Sequence, residues 1–220
     1  MIKKNLYLSK LKLRKFSQGV SKPFFLIGIV IASFLFLTSC ATMPATSSGA
    51  THKLPWSVRK HQLATITQWQ LTGATAIKLP QHGLTASIVW QQKGDDYHIQ
   101  LFGPFGIGRT IINQHNGIVT LSTNGQLYTA KSPEALMQNT LGWQLPVSNL
   151  FYWIRGLPSP GLYQHIEFDH YHHLRKLNQQ GWTINYQRYT SVNGVDIPSL
   201  LTLSQQDISV KLIISRWQFQ

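Results

Sequence analysis

The fold of this chain is predicted by the stretch Thr85–Phe102, which reads TASIVWQQKGDDYHIQLF. Its two ends, Thr85–Trp90 and Tyr97–Phe102, carry apolar residues at a period of two, as strands with one buried face do. Residues 93–96 between them read Lys-Gly-Asp-Asp, the composition of a hairpin turn. The stretch therefore predicts a pair of antiparallel strands.

Further strands are predicted on both sides of this hairpin. One opens at Trp69 and Leu71, and the later ones are joined by turns such as Asn124-Gly125 and Asn193-Gly194. The remaining predicted strands are Arg109–Gln114, Ile118–Thr123, Gln126–Ala130, Leu162–Phe168, Tyr171–Asn178, Trp182–Thr190, Pro198–Ser204 and Ile208–Trp217. About 11 strands at this spacing predict a mainly β (α+β) protein with an antiparallel meander, hence a barrel or a sandwich.

Three short helices are also predicted. The first covers Pro55 to about Thr67, and the second starts at Ser132-Pro133 and ends near Gly142. The third runs from near Ser148 to Gly156 and is apolar nearly all round. A helix of that kind must be covered on most sides or sit over a hydrophobic cavity.

The first 40 residues read as a bacterial lipoprotein signal. Seven Lys and Arg precede an apolar run, Pro23–Leu37, which is followed by Thr-Ser and then Cys40. Cys40 is the only cysteine of the chain and follows Leu-Thr-Ser as in a lipobox, so we expect it to be cleaved to the new N-terminus and lipidated. The predicted organisation is therefore a signal peptide over residues 1–39, a lipidated tether over 40–53 and one domain over 54–220. An uncleaved signal anchor is the alternative.

Charge argues against a nucleic-acid partner. Removing the leader with its seven Lys and Arg lowers the formal net charge from +13 to +6, and the remaining basic residues are scattered singly. Anionic lipid head groups remain a possible partner.

Signals for catalysis are weak. The chain contains no Gly-x-Ser-x-Gly, Walker or His-Glu-x-x-His pattern, and Asp95 and Asp96 fall in a hairpin turn. His170-Tyr171-His172-His173 resembles a metal-binding tract, in which alternation along a strand would put His170 and His172 on one face. A solvated turn is the other interpretation of the tract. We expect no enzyme activity, no metal and no cofactor.

An unusual loop follows the first hairpin. It reads Gly103-Pro-Phe-Gly-Ile-Gly108, so that Phe105 and Ile107 are presented on a backbone with few bulky neighbours. Phe105 either plugs the barrel or forms an exposed apolar tip that enters lipid.

Together these features resemble the LolB family. The resemblance is carried by Cys40, Leu71–Ala74 (LTGA), Trp90–Gln92 (WQQ), Pro104–Gly106 (PFG), Tyr128–Ala130 (YTA), Trp153–Pro158 (WIRGLP) and Lys211-Leu212 with Trp217. It implies an unclosed 11-strand antiparallel β-barrel with a lid of short helices over a hydrophobic cavity. Family members often carry Leu where this chain has Phe105.

The resemblance also implies a function. The protein would be a monomer anchored in the outer membrane that accepts lipoproteins from a periplasmic carrier similar to LolA, holds their acyl chains and inserts them into outer-membrane phospholipid. Pro104, Phe105, Gly106 and Ile107 would form the membrane-insertion loop. We expect the cavity and lid to include Trp90, Leu101, Leu150, Phe151, Trp153 and Ile154. The alternatives are a lipid-anchored, lipocalin-like binder of a small hydrophobic ligand and an envelope hydrolase.

Overall fold

The computed structural model describes residues 53–104, 108–141 and 144–219. The predicted signal segment, the tether up to residue 52 and Cys40 lie outside these described residues.

One antiparallel sheet of eleven strands dominates the structure. Its strands are β1 Gln68–Lys78, β2 Gly83–Lys93, β3 Asp96–Phe102, β4 Arg109–His115, β5 Ile118–Thr123, β6 Gln126–Ala130, β7 His165–Phe168, β8 Leu174–Gln179, β9 Trp182–Val192, β10 Val195–Gln205 and β11 Ile208–Phe219. Their order is β6-β5-β4-β3-β2-β1-β11-β10-β9-β8-β7, so β6 and β7 are the two edges. This confirms the predicted mainly β, unclosed antiparallel sheet.

In the described ranges, three short helices accompany the sheet: α1 Trp56–Thr65, α2 Pro133–Leu141 and α3 Val147–Trp153. The predicted start of α2 is confirmed, because the Ala135 backbone N–H donates to Ser132 Oγ at 3.2 Å. In the described part of the chain, no helix is both long enough and apolar enough to span a membrane.

Gly73 lets the two central strands meet. The register of β1 against β11 shifts between Thr72 and Gly73, which marks a bulge. A Cβ atom at Gly73 would lie 2.1 Å from the backbone oxygen of Ile213. No side chain fits there, so the LTGA motif needs glycine at its third position for close backbone approach.

The boundaries near the histidine tract differ from those predicted. Strand β7 starts at His165 rather than Leu162, and β8 starts at Leu174 rather than Tyr171. The later start of β8 arises because residues 169–173 form a turn instead of the start of a strand. Asp169 Oδ1 accepts hydrogen bonds from the backbone N–H groups of Tyr171 (2.9 Å) and His173 (2.8 Å), and His172 has a φ of 64°. The prediction that His170 and His172 share one face of a strand is therefore wrong.

Candidate functional site: an apolar cavity beneath α2 and α3

A small apolar cavity lies between the inner face of the sheet and the two later helices. From the sheet it is lined by Thr75, Ile77, Ile88, Trp90, Ile99, Leu101, Ile112, Val210 and Leu212. Its helical wall consists of Met137, Leu145, Val147 and Leu150. We call α2, α3 and the residues between them the lid. The alternating pattern of β1 to β4 and β11 is what turns these sheet residues to one side.

The cavity is nearly filled by its own walls. Its volume is about 60 Å³, well below the roughly 300–1,000 Å³ of pockets that enclose a drug-sized ligand. Thr75 is the one hydroxyl-bearing residue of the lining, and its Oγ1 is buried without a hydrogen-bond partner among the described residues. An acyl chain cannot enter unless the lid moves.

The six residues predicted for the cavity and lid occupy two layers. Trp90, Leu101 and Leu150 line the cavity. Trp153 and Ile154 are fully buried at the end of α3, outside the cavity lining, and Trp153 hydrogen-bonds to Gln179 of β8 and Tyr186 of β9. Phe151 stacks on Trp69 with ring centroids 6.5 Å apart. It joins the lid to an aromatic cluster in which the ring centroid of Trp69 lies 5.3 Å from that of Trp90 and 5.2 Å from that of Trp217.

A buried glutamine fixes the C-terminal end of α3. Gln179 is 0% exposed. Its Oε1 accepts hydrogen bonds from Trp153 Nε1 and from the Ser159 backbone N–H, both at 2.9 Å, and its Nε2 donates to the Ser159 backbone oxygen at 2.9 Å. Tyr186 OH also donates to the backbone oxygen of Trp153 at 2.9 Å. Because these polar groups are all buried, each bond is costly to break.

Arg155 ties the same end of α3 to α1. Its guanidinium, almost wholly buried, donates to two backbone oxygens at the end of α1, those of Leu63 (3.3 Å) and Ile66 (2.6 Å). It lies 3.9 Å from the Phe151 ring centroid. Burial lowers the pKa of Arg155 to about 10. The side chain therefore stays charged at neutral pH and complements the helix terminus.

The rest of the lid is held differently. Leu136 and Met137 of α2, with Val147 and Leu150 of α3, are buried against the sheet. The polar contacts recorded for this part are peripheral: the Ser148 N–H donates to Glu134 Oε1 at 3.0 Å, and Asn149 Nδ2 donates to Gln180 Oε1 at 2.6 Å. The lid is thus pinned by buried hydrogen bonds at the end of α3, and elsewhere it rests mainly on apolar contact.

The histidine tract takes part in a buried ionic network. His173 Nδ1 lies 2.8 Å from Asp169 Oδ2, and His173 Nε2 lies 3.0 Å from Asp196 Oδ2. Arg59 of α1 approaches Asp196 Oδ2 to 3.5 Å. Burial by itself raises the pKa of Asp196, but the hydrogen bond from His173 and the charges of His173 and Arg59 outweigh it, so this pKa is lowered. The network fastens α1 and the 169–173 turn to β10.

Other predicted candidates do not form a reactive group. Asp96 contacts His115 Nδ1 at 2.8 Å on the exposed hairpin end. Within the described residues, no group of three or more His, Cys, Asp or Glu is placed to hold a metal ion.

The predicted membrane-insertion loop starts where β3 ends. Pro104 is exposed, and the Gly103 backbone N–H donates to the Gly108 oxygen at 3.3 Å across the base of the loop. Phe105, Gly106 and Ile107 lie outside the described residues, as does Cys40.

Sequence reasoning missed the polar residues that hold the site together. Gln179 lies directly before Gln180-Gly181, which has turn composition, and Arg59 lies on a helix, where a charged side chain is normally exposed. No local pattern marks either one. The sequence analysis named Arg155 only as part of the WIRGLP motif and assigned it no contact.

Comparison with known proteins identifies the family. The family described as "Outer membrane lipoprotein LolB" matches residues 67–217. Outer-membrane lipoprotein LolB of Coxiella burnetii (strain RSA 493 / Nine Mile phase I) is 43% identical over 192 residues, covering 86% of this chain and 91% of that protein. The protein of the same name from Pseudomonas aeruginosa (strain LESB58) is 36% identical over 193 residues, covering 86% and 94%.

A solved structure shows the same fold. The DUF1329 family protein from Desulfovibrio piger ATCC 29098 superposes with a TM-score of 0.51 at 8% identity, covering 75% of this chain and 90% of that one. At this identity the likeness extends to the fold alone. From the family match and the two sequence relatives, the chain belongs to the LolB family of outer-membrane lipoproteins.

Proposed function

We propose that this protein is the outer-membrane receptor that accepts lipoproteins from a periplasmic carrier and inserts them into the outer membrane. The observation that carries the proposal is the apolar cavity closed by a lid that is pinned at one end. Such an arrangement can admit acyl chains by hinging, and it needs no bond chemistry.

The free energy needed to open the lid is similar in size to the free energy gained by burying acyl chains in the cavity. Exposing the four lid side chains Leu136, Met137, Val147 and Leu150 would cost about 6–12 kcal/mol, at 1.5–3 kcal/mol each. Burying acyl chain returns about 0.8 kcal/mol per methylene. Roughly 8–15 buried methylenes therefore offset full opening. A lipoprotein with several long acyl chains can open the lid, whereas a short ligand cannot.

The hinge lies at the end of α3. Trp153 and Arg155 are fixed by the buried hydrogen bonds described above, and Gly156 follows with a φ of 79°. We expect α2 and the start of α3 to lift away while this end stays in place. The cavity then opens toward the side where α2 contacts β5 and β6.

Delivery depends on the two features outside the described residues. Acylation of Cys40 would hold the protein, as a monomer, against the outer-membrane leaflet. The apolar tip at Phe105 would contact phospholipid, since exposing Phe to water forgoes about 1.5–3 kcal/mol that a lipid contact restores. Cys40→Ala should therefore release a folded protein from the membrane, and mass spectrometry of the mature protein should find acyl groups on Cys40.

Acceptance of cargo is tested by cross-linking from the two faces of one strand. A photoreactive amino acid at Leu101, which lines the cavity, should cross-link to acylated lipoprotein presented by the loaded carrier. The same group at Gln100, the next residue and on the opposite face, is the matched control. Equal cross-linking from both positions, or capture of a small lipid alone at Leu101, would contradict the receptor function.

Delivery is tested separately with Phe105. Phe105→Glu should still take cargo from the carrier but fail to pass it to liposomes, whereas Phe105→Leu keeps an apolar tip and should deliver. Flotation of liposomes scores the second step. If Phe105→Glu delivers normally, or merely unfolds the protein, the ring is a plug and not a membrane contact.

A further inference from the structure

The outward face of the sheet carries an apolar patch next to the loop that contains Phe105. We define the outer patch as Ala74, Ala76, Ser87, Phe102, Lys211 and Ile213. Strand register brings them together: Ala74 pairs with both Ile213 and Ser87, Ser87 pairs with Phe102, and Ala76 pairs with Lys211. The patch is thus built from three consecutive strands, β1 to β3, and from β11, which is distant in sequence.

Small residues in its middle make the outer patch a groove. Ala74, Ala76 and Ser87 form the floor, and Phe102 and Ile213 stand on either side of a concave space of about 650 Å³. Ile213 is 41% exposed. Gly103 and Pro104 also line this space, so the groove continues directly into the loop.

Positive charge borders the outer patch. Lys211 lies within it, Lys78 lies two residues beyond Ala76 on the same face of β1, and the Arg109 guanidinium sits 5.5 Å from the Phe102 ring centroid. Strands β1, β2, β4 and β11 contain no Asp or Glu. The acidic residue of β3, Asp96, lies at the other end of the sheet, and Asp207 is in the turn before β11. Exposed apolar area bordered by cations matches the chemistry of a membrane surface with anionic lipid.

The remainder of the same face is polar. One row across the sheet is made by register from Gln70, Gln91, His98, Asn113 and Thr120. Several of these side chains hydrogen-bond to one another, such as Gln91 to Gln70 at 3.1 Å and Asn113 to Thr120 at 3.4 Å. This row presents no exposed apolar side chain to lipid. Along the strands, the outward face is therefore divided into an apolar end, the outer patch, and a polar end.

We propose that the outer patch is a second lipid-contact surface, which binds the head-group region of anionic phospholipid and lays this end of the sheet on the leaflet. The inference rests on the proposed function, because it assumes a receptor held at the membrane and a loop that enters it. Lys211 and Lys78 would place their amines at the phosphates while their alkyl stems cover Ile213 and Ala76. Each such cation strengthens binding to an anionic surface by about five-fold.

The test uses the fact that Cys40 is the only cysteine of the chain. In the lipidated protein, Ile213→Cys provides a single free thiol for an environment-sensitive fluorophore, and Gln91→Cys in the polar row is the matched control. Each protein is reconstituted into phosphatidylcholine vesicles with or without phosphatidylglycerol. We expect a blue-shifted emission and quenching by nitroxide-labelled lipid at position 213 alone, stronger with phosphatidylglycerol. Adding Lys211→Glu should weaken the phosphatidylglycerol effect by about five-fold or more.

Two results would overturn the proposal. The first is equal quenching at positions 213 and 91. The second is a signal at position 213 that changes only when carrier protein is added, which would assign the surface to a protein partner. Cargo cross-linking from Leu101 is measured on the same reconstituted samples. Loss of cross-linking with position 213 still quenched would refute the receptor function alone, and intact cross-linking without quenching would refute the lipid surface alone.

Discussion

Replacing Gln179 by Leu removes the amide that pins the lid. The change keeps a buried side chain of similar size but leaves the Trp153 indole N–H, the Ser159 N–H and the Ser159 carbonyl without their buried partner. Each unsatisfied buried polar group costs about 1–3 kcal/mol, so for three groups we expect a loss of about 3–9 kcal/mol in the free energy of unfolding. In a domain of this size that lowers Tm by roughly 6–36 °C.

The assay is equilibrium urea unfolding followed by tryptophan fluorescence. Gln187→Leu is the matched control, because the same exchange on an exposed side chain should change stability by less than about 0.5 kcal/mol. A loss below about 1 kcal/mol for Gln179→Leu would show that the amide does not anchor α3. Cargo cross-linking from Leu101 should also change in Gln179→Leu, since the hinge would no longer be fixed.

Three more changes test separate parts of the structure. Gly73→Ala should cost about 3 kcal/mol or more by thermal unfolding, because its Cβ would meet backbone at 2.1 Å, whereas Gly83→Ala, with its nearest neighbour at 3.3 Å, should cost far less. Thr75→Val should stabilise the protein by about 1–3 kcal/mol, and a destabilised variant would mean that the hydroxyl has a partner. Because the pKa of Asp196 is lowered in the folded protein, its ionised carboxylate stabilises the fold at every pH above the ordinary Asp pKa, and this stabilisation is lost as pH falls through the lowered pKa. Asp196→Asn should therefore lower the free energy of unfolding at pH 7 and make that free energy depend less on pH in acid.

The strand and helix pattern was readable from the sequence because it is local. Hairpin turns such as Asn124-Gly125 set the strand ends, and alternation assigned residues such as Trp90 and Leu101 to the inner face. Ser132-Pro133 fixed the start of α2 in the same way. These signals depend on residues only a few positions apart.

The polar anchors were not readable, because each depends on a partner far away in the chain. Nothing near Arg155 indicates that it will meet the end of α1, and Arg59 looks like an exposed helix residue until Asp196 and the Tyr171 carbonyl come close to it. The strand predicted for the histidine tract was wrong for a different, local reason, because the hydrogen bonds that the Asp169 side chain accepts form a turn there in place of a strand. Sequence pattern located the lid but not the contacts that hold it.

The pairing of β1 with β11 bears on how the molecule assembles. β1 to β6 and β7 to β11 are each a run of neighbouring hairpins, and the two runs join where the earliest strand meets the last one, as at Leu71 opposite Trp217. Hairpins can form as soon as their own residues are available, but this seam must wait until β11 has been synthesised. Such long sequence separation slows folding. The inner face that lines the apolar cavity is therefore completed only at the final step, which keeps the growing chain from presenting a finished apolar groove.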